Sequence, residues 1–525
     1  RRKLAVAQLD KCRWQIECRS DQPLQLSYEV YAFDASVRAA WLDARRGFFN
    51  GTSLCLRVHG QETLPHQLQL QPVAGQPQWQ VATGLAPLKT NQRGFGLYQA
   101  RDYDELVDCP VELGSFWSGS FSACGIPHRF VVAGALPSFD GARLLADTQK
   151  ICEAEIRFWH GQGAQAGRKA PHRQYLFMLN AVDEGYGGLE HRNSTALICG
   201  RRDLPRQGEA KRSEGYTTLL GLISHEYFHT WNVKRLRPDV FAQYDYTREN
   251  HTPLLWFFEG FTSYYDDLLL RRAGLIDDAT YLQLLAKTIN QVAQTPGRHV
   301  QSVAQASWDA WTKYYRQDEN TPNATVSYYT KGALVALCFD LSLRAEGHTL
   351  DALMRSLWQR CQGGPMREQD VLDALQALTG RSWQRELQAW VHGTSELPLA
   401  ALLQAQGIRI HAEPGNFAQH LGIRHADANG SVQIKAVLRG SAAERAGLAA
   451  GDEWLGLEVG SRNAHSSWRV RKLDDVPPLL GAQRKAVALV ARDQQLLRLP
   501  LVVPQQSTVW RLQAPAERQP GWPAL

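Results

Sequence analysis

The feature that most constrains this chain is the run His225-Glu226-Tyr227-Phe228-His229, an H-E-x-x-H pattern. Two histidines four residues apart lie one above the other on a helix face, where both imidazoles can bind one metal ion. The intervening glutamate then faces a water molecule at that metal. The pattern therefore predicts a helix at this position and is typical of zinc peptidases. A third protein ligand is needed to complete such a site.

A lone carboxylate in an aromatic segment is the candidate for the third ligand. Glu259 lies within the run Trp256 to Phe261, where burial of an unpaired charge would be costly. A metal partner would remove that cost, whereas the alternative is that Glu259 caps a helix or pairs with a core arginine. The set His225, His229 and Glu259 leaves a fourth position to water, as in catalytic rather than structural zinc sites.

Composition excludes several classes of protein. A chain of 525 residues is too long for one hydrophobic core and predicts about three domains. Hydrophobic residues make up 44% and charged residues 21%, and no apolar run is long enough to span a membrane. The net charge of +6 is small for this length and gives no indication of a nucleic-acid partner. We therefore expect a multidomain soluble protein.

The cysteines and the first residues bear on compartment. Nine cysteines without a C-x-x-C pair argue against a cysteine-bound metal and against a dense disulfide framework. The chain begins without Met and without an apolar signal-peptide core, so both cytoplasm and periplasm stay open as locations.

Hydrophobic periodicity divides the chain into segments. Up to residue 140 short runs alternate apolar and polar residues, as in Leu24 to Val30 and Leu54 to Val58, which predicts antiparallel sheet. Longer amphipathic segments follow and predict helices, at 141–158, 216–233, 256–272, 278–294 and 327–346. Residues 173–200 have strand character with a Gly-Gly pair, and we expect an edge strand of the active site there.

Short strands return after residue 412, and 415–503 has the size of one small β-rich module. The predicted domains are thus a β-rich domain at 1–140, a mainly helical domain at 141–412, a β module at 413–505 and a tail at 506–525. The fold class is multidomain α+β.

Several long motifs resemble the glycyl aminopeptidase family, peptidase family M61. They are YEVYAFDASVRAAWLD, RGFFNGTSL, GGLEHRNST, HEYFHTWNVKRLRP, LWFFEGFTSYYDDLLL and SYYTKGALVALCFDLSLR. The resemblance runs across nearly the whole chain and implies an N-terminal antiparallel β domain followed by a thermolysin-like, mainly α-helical zinc peptidase domain. It also implies one Zn²⁺ per chain and an N-terminal domain that lacks its first segment.

The resemblance assigns roles around the zinc. Glu226 would be the general base that takes a proton from the attacking water and returns it to the leaving amine. Tyr329, the second tyrosine of SYYTKG, occupies the place of the tyrosine that stabilises the oxyanion, with Tyr328 as the alternative. Without the resemblance, a tyrosine pair on an amphipathic helix is more typical of a core.

An aminopeptidase also needs a carboxylate that holds the substrate's α-ammonium group. Glu190 in GGLEH is the candidate, because this segment is similar to the Gly-x-Met-Glu-Asn edge strand of related aminopeptidases. Leucine and histidine replace the Met and Asn here. Gly187 and Gly188 would let substrate backbone pair with the strand. The alternative is that Glu190 forms a surface ion pair with Arg192.

Residues around the predicted ligands are harder to assign. Asp266 and Asn232 are both candidates to orient the histidine ligands, and the sequence does not choose between them. Trp231 is more typical of packing than of catalysis.

Residues 415–503 resemble a PDZ domain. HLGI lies where the carboxylate-binding loop belongs, which makes Leu421, Gly422 and Ile423 the candidate peptide-binding residues; GSAAERAGLAAGD and DDVPPLLG match its two helices. Such a module binds an extended peptide by strand addition and captures its terminal carboxylate. A purely structural role is the alternative.

The leading hypothesis is a zinc aminopeptidase that acts on peptides with a free N-terminus, with glycine and alanine preferred as the family implies. Two alternatives stay open: a zinc endopeptidase to which the PDZ module delivers peptide C-termini, and a non-catalytic PDZ scaffold with a vestigial zinc fold. The physiological substrate and the oligomeric state are left open.

Overall fold

The computed structural model describes residues 3–163, 165–461, 464–504 and 507–515. The N-terminal part consists of short antiparallel strands and two small helices, with a four-stranded sheet in the order β3-β4-β9-β6 and a three-stranded sheet in the order β5-β8-β7. The elements are β1 (Val6–Gln8), β2 (Trp14–Ile16), β3 (Ala40–Leu42), β4 (Arg46–Phe49), α1 (Gly51–Leu54), β5 (His66–Leu70), β6 (Gln80–Thr83), β7 (Ala86–Thr90), β8 (Gly96–Ala100), α2 (Tyr103–Val107) and β9 (Val111–Gly114). Trp79, Phe95 and Val111 are buried between these elements.

Two predicted strand runs in this part are wrong. Leu24, Leu26, Tyr28 and Val30 lie in no strand, and all four side chains are exposed. Leu54 ends α1, and the residues after it up to Val58 are also outside any strand. Alternation produces an apolar face, but a strand forms only where a neighbouring strand accepts its backbone hydrogen bonds. In the described part of the chain, neither run has such a neighbour.

A five-stranded mixed sheet begins the middle part, in the order β10-β11-β12-β14-β13. Its elements and the helices between them are β10 (Trp117–Ala123), β11 (Ile126–Ala133), α3 (Gly141–His160), α4 (Ala166–Lys169), β12 (Tyr175–Val182), β13 (Tyr186–Glu190) and β14 (Ser194–Gly200). The pairs β11-β12 and β12-β14 are parallel, whereas β13 is antiparallel to β14. β13 therefore forms the predicted edge. The predicted domain boundary at residue 140 passes through this sheet, because β10 and β11 pack into the same core as the helices.

The remaining helices of the middle part pack around one large apolar core. They are α5 (Glu214–Phe228), α6 (Leu255–Phe258), α7 (Gly260–Arg272), α8 (Asp278–Ala293), α9 (Val303–Trp308), α10 (Thr321–Ala324), α11 (Thr330–Ala345), α12 (Leu350–Arg360), α13 (Glu368–Thr379), α14 (Gln384–Leu387) and α15 (Leu399–Ala405). Strands β15 (Arg237–Pro238) and β16 (Pro365–Met366) pair with each other. Short 3₁₀ or π turns lie at Arg201–Asp203, Asp239–Phe241, Pro296–His299, Ala310–Tyr314 and Gln388–His392. The predicted helices are present, but 216–233 ends at Phe228, five residues early, and 256–272 is divided at Glu259.

The C-terminal part contains a six-stranded antiparallel sheet, β18-β19-β20-β22-β23 with β21 paired to β20. Its elements are β17 (Arg409–Pro414), α16 (Phe417–Leu421), β18 (Ile423–Ala428), β19 (Ser431–Val437), α17 (Ala442–Ala446), β20 (Glu453–Ser461), β21 (Ala464–Arg469), a 3₁₀ turn (Leu473–Asp475), α18 (Val476–Leu480), β22 (Lys485–Arg492), β23 (Gln495–Val502) and β24 (Thr508–Gln513). Residues 415–503, called the C-terminal module below, enclose a separate apolar core that includes Trp454 and Leu457.

The C-terminal module is attached to the helical part through its flanking strands and through side-chain hydrogen bonds, one of which runs from Nε2 of Gln419 to Oε1 of Gln294 at 3.1 Å. β24 pairs with β17, so the segment predicted as a tail from 506 contributes a strand; residues 505, 506 and 516–525 lie outside the described residues. The side chain of Asn323 also accepts a hydrogen bond from the Arg439 amide at 2.8 Å and donates one to the Val437 carbonyl at 2.9 Å. None of the helices in the described ranges is long and apolar enough to cross a membrane.

Candidate active site

The H-E-x-x-H pattern lies at the C-terminal end of α5, a helix buried on most of its surface. Ser213 caps the first turn by accepting a hydrogen bond from the Tyr216 amide, and the helix ends at Phe228 with His229 as its cap. The rings of His225 and His229 lie 4.6 Å apart, centroid to centroid, on the same face. The sequence spacing thus brings both imidazoles together.

Glu259 meets the two histidines at the junction of α6 and α7. Its Oε2 lies 3.3 Å from Nε2 of His225 and 3.2 Å from Nε2 of His229. This oxygen is buried and makes no hydrogen bond of good geometry. Candidate ligand atoms of the three residues lie within 4.8 Å of one another, and this is the one group of three or more such residues within the described ranges. Glu259 stands at the N-cap position of α7, but its side chain makes no capping hydrogen bond, and no arginine pairs with it among the described residues.

Nδ1 of each histidine makes a hydrogen bond on the side of the ring away from Glu259. Nδ1 of His225 donates to Oδ2 of Asp266 at 3.1 Å, and Nδ1 of His229 donates to the backbone carbonyl of Asn232 at 2.7 Å. Both Nε2 atoms therefore present a lone pair towards Glu259 when the rings are neutral. Asp266 and Asn232, between which the sequence did not choose, each orient one histidine, and Asn232 does so through its backbone.

The electrostatics of this cluster favour a positive charge. Burial alone would lower the pKa of His225, but Asp266 and Glu259 raise it well above its usual range. Burial would likewise raise the pKa of Glu259, yet the two histidines lower it. A cation placed between the three residues would be stabilised by the same two carboxylates, those of Asp266 and Glu259.

Glu226 projects from α5 towards the edge strand β13. Its side chain is buried, and Oε2 accepts a hydrogen bond of 3.4 Å from the Thr195 hydroxyl. Burial raises the pKa of Glu226 to about 7, although His229 and His225 act in the opposite direction. A Cβ added to Gly188 would lie 2.0 Å from Oε1 of Glu226. Glycine is therefore required here for the strand to pass close to the carboxylate.

Glu190 ends β13 on the same edge of the sheet. Its negative charge contributes to the raised pKa values of both Glu226 and His229, which places it in the same electrostatic environment. Arg192, its alternative partner, instead directs its amide and its guanidinium to Asp108, at 3.0 Å and 3.9 Å. Gly187 is open on its side-chain face, with no atom within 4 Å of an added Cβ.

Tyr329 directly precedes α11 as its N-cap residue and approaches the histidines. Its ring stacks over that of His225 with centroids 6.2 Å apart. Tyr328 is 1% exposed and stacks between Tyr314 and Tyr329, both at 4.8 Å. Tyr314, which sequence reasoning missed, completes this aromatic group. Of the two adjacent tyrosines, Tyr329 is the one in ring contact with a predicted ligand.

A close helix crossing holds Tyr329 near Glu259. A Cβ on Gly260, the first residue of α7, would lie 2.5 Å from Cα of Gly332 in α11, and the reverse substitution meets Cα of Gly260 at 2.8 Å. Backbones approach this closely only where both residues lack a side chain. Each glycine lies within three residues of its neighbouring functional side chain, so the crossing fixes their separation.

Sequence reasoning missed a buried ion pair beside the site. Asp108, at the end of α2, accepts from the Lys234 ammonium at 2.7 Å and from Nδ1 of His191 at 3.2 Å. Lys234 belongs to the HEYFHTWNVKRLRP motif, which could have drawn attention to it, although it stands in a basic run with Arg235 and Arg237. Asp108 carries no comparable signal. Trp231 packs against Trp159 and donates to His160 at 2.8 Å, as its packing assignment implies.

The residues predicted for the PDZ loop lie at the junction of α16 and β18. Leu421 and Ile423 are buried in the module's own core, and Gly422 caps α16 with a φ of 72°. Any peptide contact in this loop would therefore use backbone groups.

Comparisons with known proteins agree with this arrangement. The family model for the M61 glycyl aminopeptidase matches residues 218–335, and the model for the peptidase M61 N-terminal domain matches residues 1–115. No curated protein gives a significant match. A crystal structure of an aminopeptidase N family protein from Idiomarina loihiensis is 35% identical, with a TM-score of 0.90, over 98% of this chain and 88% of that one.

A more distant solved structure is the M1 zinc metallopeptidase from Deinococcus radiodurans, 14% identical over 76% of this chain and 83% of that one, with a TM-score of 0.46. The family matches and the similarity to the Idiomarina structure together lead to one conclusion. The chain belongs to the M61 glycyl aminopeptidase family.

Proposed function

We propose that the protein is a zinc aminopeptidase whose metal is held by His225, His229 and Glu259. The observation that carries this proposal is the buried Glu259 Oε2, which faces two imidazole Nε2 atoms without a hydrogen bond. Two imidazoles and one carboxylate are the donor set that catalytic zinc prefers, with one position left for water or substrate. The chemistry that zinc supplies when bound is Lewis acidity, which polarises the scissile carbonyl and makes a water molecule more acidic.

The chain's own residues carry the proton transfers in this proposal. Glu226, buried on the same helix as the two histidines, takes the proton from the attacking water and returns it to the leaving amine. The phenol of Tyr329 donates a hydrogen bond to the oxyanion of the tetrahedral intermediate, and its position beside His225 supports this role over Tyr328.

Glu190 determines, in this proposal, that the peptide is cleaved from its N-terminal end. A peptide that adds to the free edge of β13 runs past Gly187 and Gly188, and its α-ammonium group would meet the carboxylate at the end of the strand. The carboxylate then allows only the one residue before the scissile bond. We extend to this chain the preference for N-terminal glycine that its family name suggests, and we propose that alanine, the next smallest residue, is also accepted.

Zinc analysis and hydrolysis of Gly- and Ala-p-nitroanilide test the proposal. The wild type should contain one zinc ion per chain and release nitroaniline, whereas Glu226→Gln should keep its zinc and lose activity by at least about 1,000-fold. Glu184→Gln is the matched control, because Glu184 is exposed in the turn before β13 and should retain full activity. Full activity in Glu226→Gln would refute the mechanism.

A blocked N-terminus separates the aminopeptidase from the endopeptidase alternative. An enzyme that uses Glu190 should fail to cleave N-acetylated peptides, since acetylation removes the charge that the carboxylate binds. Cleavage of acetylated and free peptides at equal rates would favour an endopeptidase. A chain that binds zinc but cleaves neither set would favour the non-catalytic scaffold.

For the C-terminal module, we propose a PDZ domain, spanning 413–505, that binds peptide C-termini. The supporting observation is that β18 has one partner, β19, in the sheet order of the described residues, so its other edge is open to strand addition. Fluorescence anisotropy with a peptide library in carboxylate and amide forms tests this. Preference for the carboxylate form supports the proposal, and equal absence of binding supports a structural module.

A further inference from the structure

Asp108 reaches the candidate active site from the N-terminal part of the molecule. It follows α2, whose residues Tyr103 and Val107 belong to the apolar core of that part. Its side chain is 14% exposed and turns away from that core towards β13 and the segment after His229. Asp108 therefore connects the apolar core of the N-terminal part with the part of the molecule built on the large helical core.

The carboxylate of Asp108 holds the residues that directly follow Glu190. Oδ1 accepts from Nδ1 of His191 at 3.2 Å, and Oδ2 accepts from the backbone amide of Arg192 at 3.0 Å. A side chain that binds both residues fixes the direction in which the chain leaves β13. Since Glu190 is the last residue of that strand, these contacts fix the backbone position from which its carboxylate projects.

The same carboxylate holds the segment that follows the second histidine. Oδ1 accepts from the ammonium of Lys234 at 2.7 Å, and the Lys234 amide donates to the His229 carbonyl at 3.1 Å. Val233, between Asn232 and Lys234, has a φ of 130°, a conformation that a β-branched residue rarely adopts. The fixed position of Lys234 thus supports a strained turn whose preceding carbonyl orients His229.

The charges of this group are mutually dependent. Burial would raise the pKa of Asp108, yet Lys234 and His191 hold it well below its usual range. Burial would lower the pKa of Lys234, but Asp108 and, more weakly, Glu190 raise it. Loss of Asp108 would therefore leave the Lys234 ammonium in a largely buried position without its carboxylate partner.

We infer that Asp108 is a positioning residue for amino-terminus recognition: by holding the backbone directly after β13, it keeps Glu190 where its carboxylate can meet the α-ammonium group of the substrate. This inference rests on the proposed function, in which Glu190 binds that group. A general structural clamp between the two cores would use the same contacts, but it would not alter the preference of the site for an amine.

The test compares Asp108→Asn, Glu190→Gln and the double variant in zinc-loaded, full-length protein. We expect Asp108→Asn to raise KM for Ala-p-nitroanilide by about tenfold and to change kcat by less than about threefold. L-alanine and L-lactate, which differ only in amine against hydroxyl, serve as competitive inhibitors. The preference for alanine should fall by about tenfold in the same variant.

The double variant decides whether Asp108 acts through Glu190. If it does, addition of Asp108→Asn to Glu190→Gln should change KM by less than about twofold. The inference would be overturned if the KM change of the double variant equalled the product of the two single changes. It would also be overturned if Asp108→Asn left the alanine preference unchanged. If Glu190→Gln alone leaves KM and the alanine preference unchanged, the proposed amine anchor itself fails, and that result is visible before any Asp108 variant is measured.

Two further variants guard against an effect on folding. Glu112→Gln is the matched control, since it removes a buried bidentate ion pair with Arg46 at 2.7 Å in the same part of the molecule but contacts no residue of β13. It should leave the alanine preference unchanged. If Asp108→Asn does not fold, His191→Ala replaces it, because this variant removes one Asp108 contact and preserves the Lys234 pair. The preference for alanine over lactate should then fall by about threefold.

Discussion

Gly188 and Glu226 approach so closely that a single methyl group would not fit between them. The added carbon would lie 2.0 Å from Oε1 of Glu226. The edge strand and the H-E-x-x-H helix are thus positioned against each other through the carboxylate that is proposed to act as base.

Gly188→Ala should displace Glu226 and lower kcat/KM for Ala-p-nitroanilide by about 100-fold or more, because a shift of about 1 Å in a reacting group has effects of that size. Zinc content should stay at the wild-type value. Gly187→Ala is the comparison for backbone strain in β13, since its added Cβ meets no atom within 4 Å although its φ of 159° disfavours a side chain. Equal losses in both variants would point to a general change in β13 instead of a collision with Glu226.

Asp266→Ala should weaken zinc binding by about 10- to 100-fold, because Nδ1 of His225 would lose the acceptor at 3.1 Å that fixes its ring and tautomer. Competition with a chelator of known affinity measures this loss. At saturating zinc, kcat should recover most of its wild-type value. An unchanged zinc affinity would mean that His225 does not depend on Asp266 for its orientation.

Tyr329→Phe should lower kcat by about 100- to 1,000-fold with little change in KM, since the phenol is proposed to act on the oxyanion only. Tyr328→Phe removes the same hydroxyl one residue earlier from a side chain that is 1% exposed, and it should retain most activity. The reverse pattern in steady-state kinetics would assign the oxyanion role to Tyr328.

Acidification should destabilise the protein through His128. Burial lowers the pKa of this histidine to about 4, and its Nε2 accepts a hydrogen bond from Tyr227 at 2.9 Å. The unfolded chain binds a proton below about pH 6.5, whereas the folded chain stays neutral to about pH 4, so stability falls as pH decreases between these values. On the order of 2 kcal/mol should be lost from this group by pH 5.

Urea unfolding of wild type and His128→Gln at pH 7 and pH 5 checks this effect. The variant should begin less stable at pH 7 but lose less stability on acidification. Parallel pH dependence in the two proteins would show that His128 does not remain neutral in the folded state.

The three metal-binding residues could be predicted from the sequence because each is marked by its immediate sequence neighbours. His225 and His229 are one helical turn apart, and Glu259 is conspicuous as a charge in an aromatic run. The edge position of β13 followed from its glycines. Asp108 was not accessible, because it is 126 residues from Lys234 and nothing in its neighbourhood indicates a buried partner.

The incorrect and missed strand predictions have the same cause as the missed Asp108, namely dependence on residues distant in sequence. The alternation from Leu24 to Val30 places apolar residues at every second position, but it contains no information about whether a second strand is available for pairing, and all four side chains are exposed. The strand Thr508–Gln513 was missed because its partner, Arg409–Pro414, lies about a hundred residues earlier. Pairing over such distances depends on the assembled fold and not on the local pattern.

The pairing of β17 with β24 also determines how the C-terminal module is connected. Pro414 lies opposite Thr508, and the Gly415 amide donates to the Ser507 carbonyl at 2.8 Å, so the chain enters and leaves the module side by side. The module is therefore an insertion carried on a two-stranded stem, not an appendage on a single linker. Replacement of the whole module by a two-residue turn would close the stem as a hairpin and leave the helical core with both of its strands.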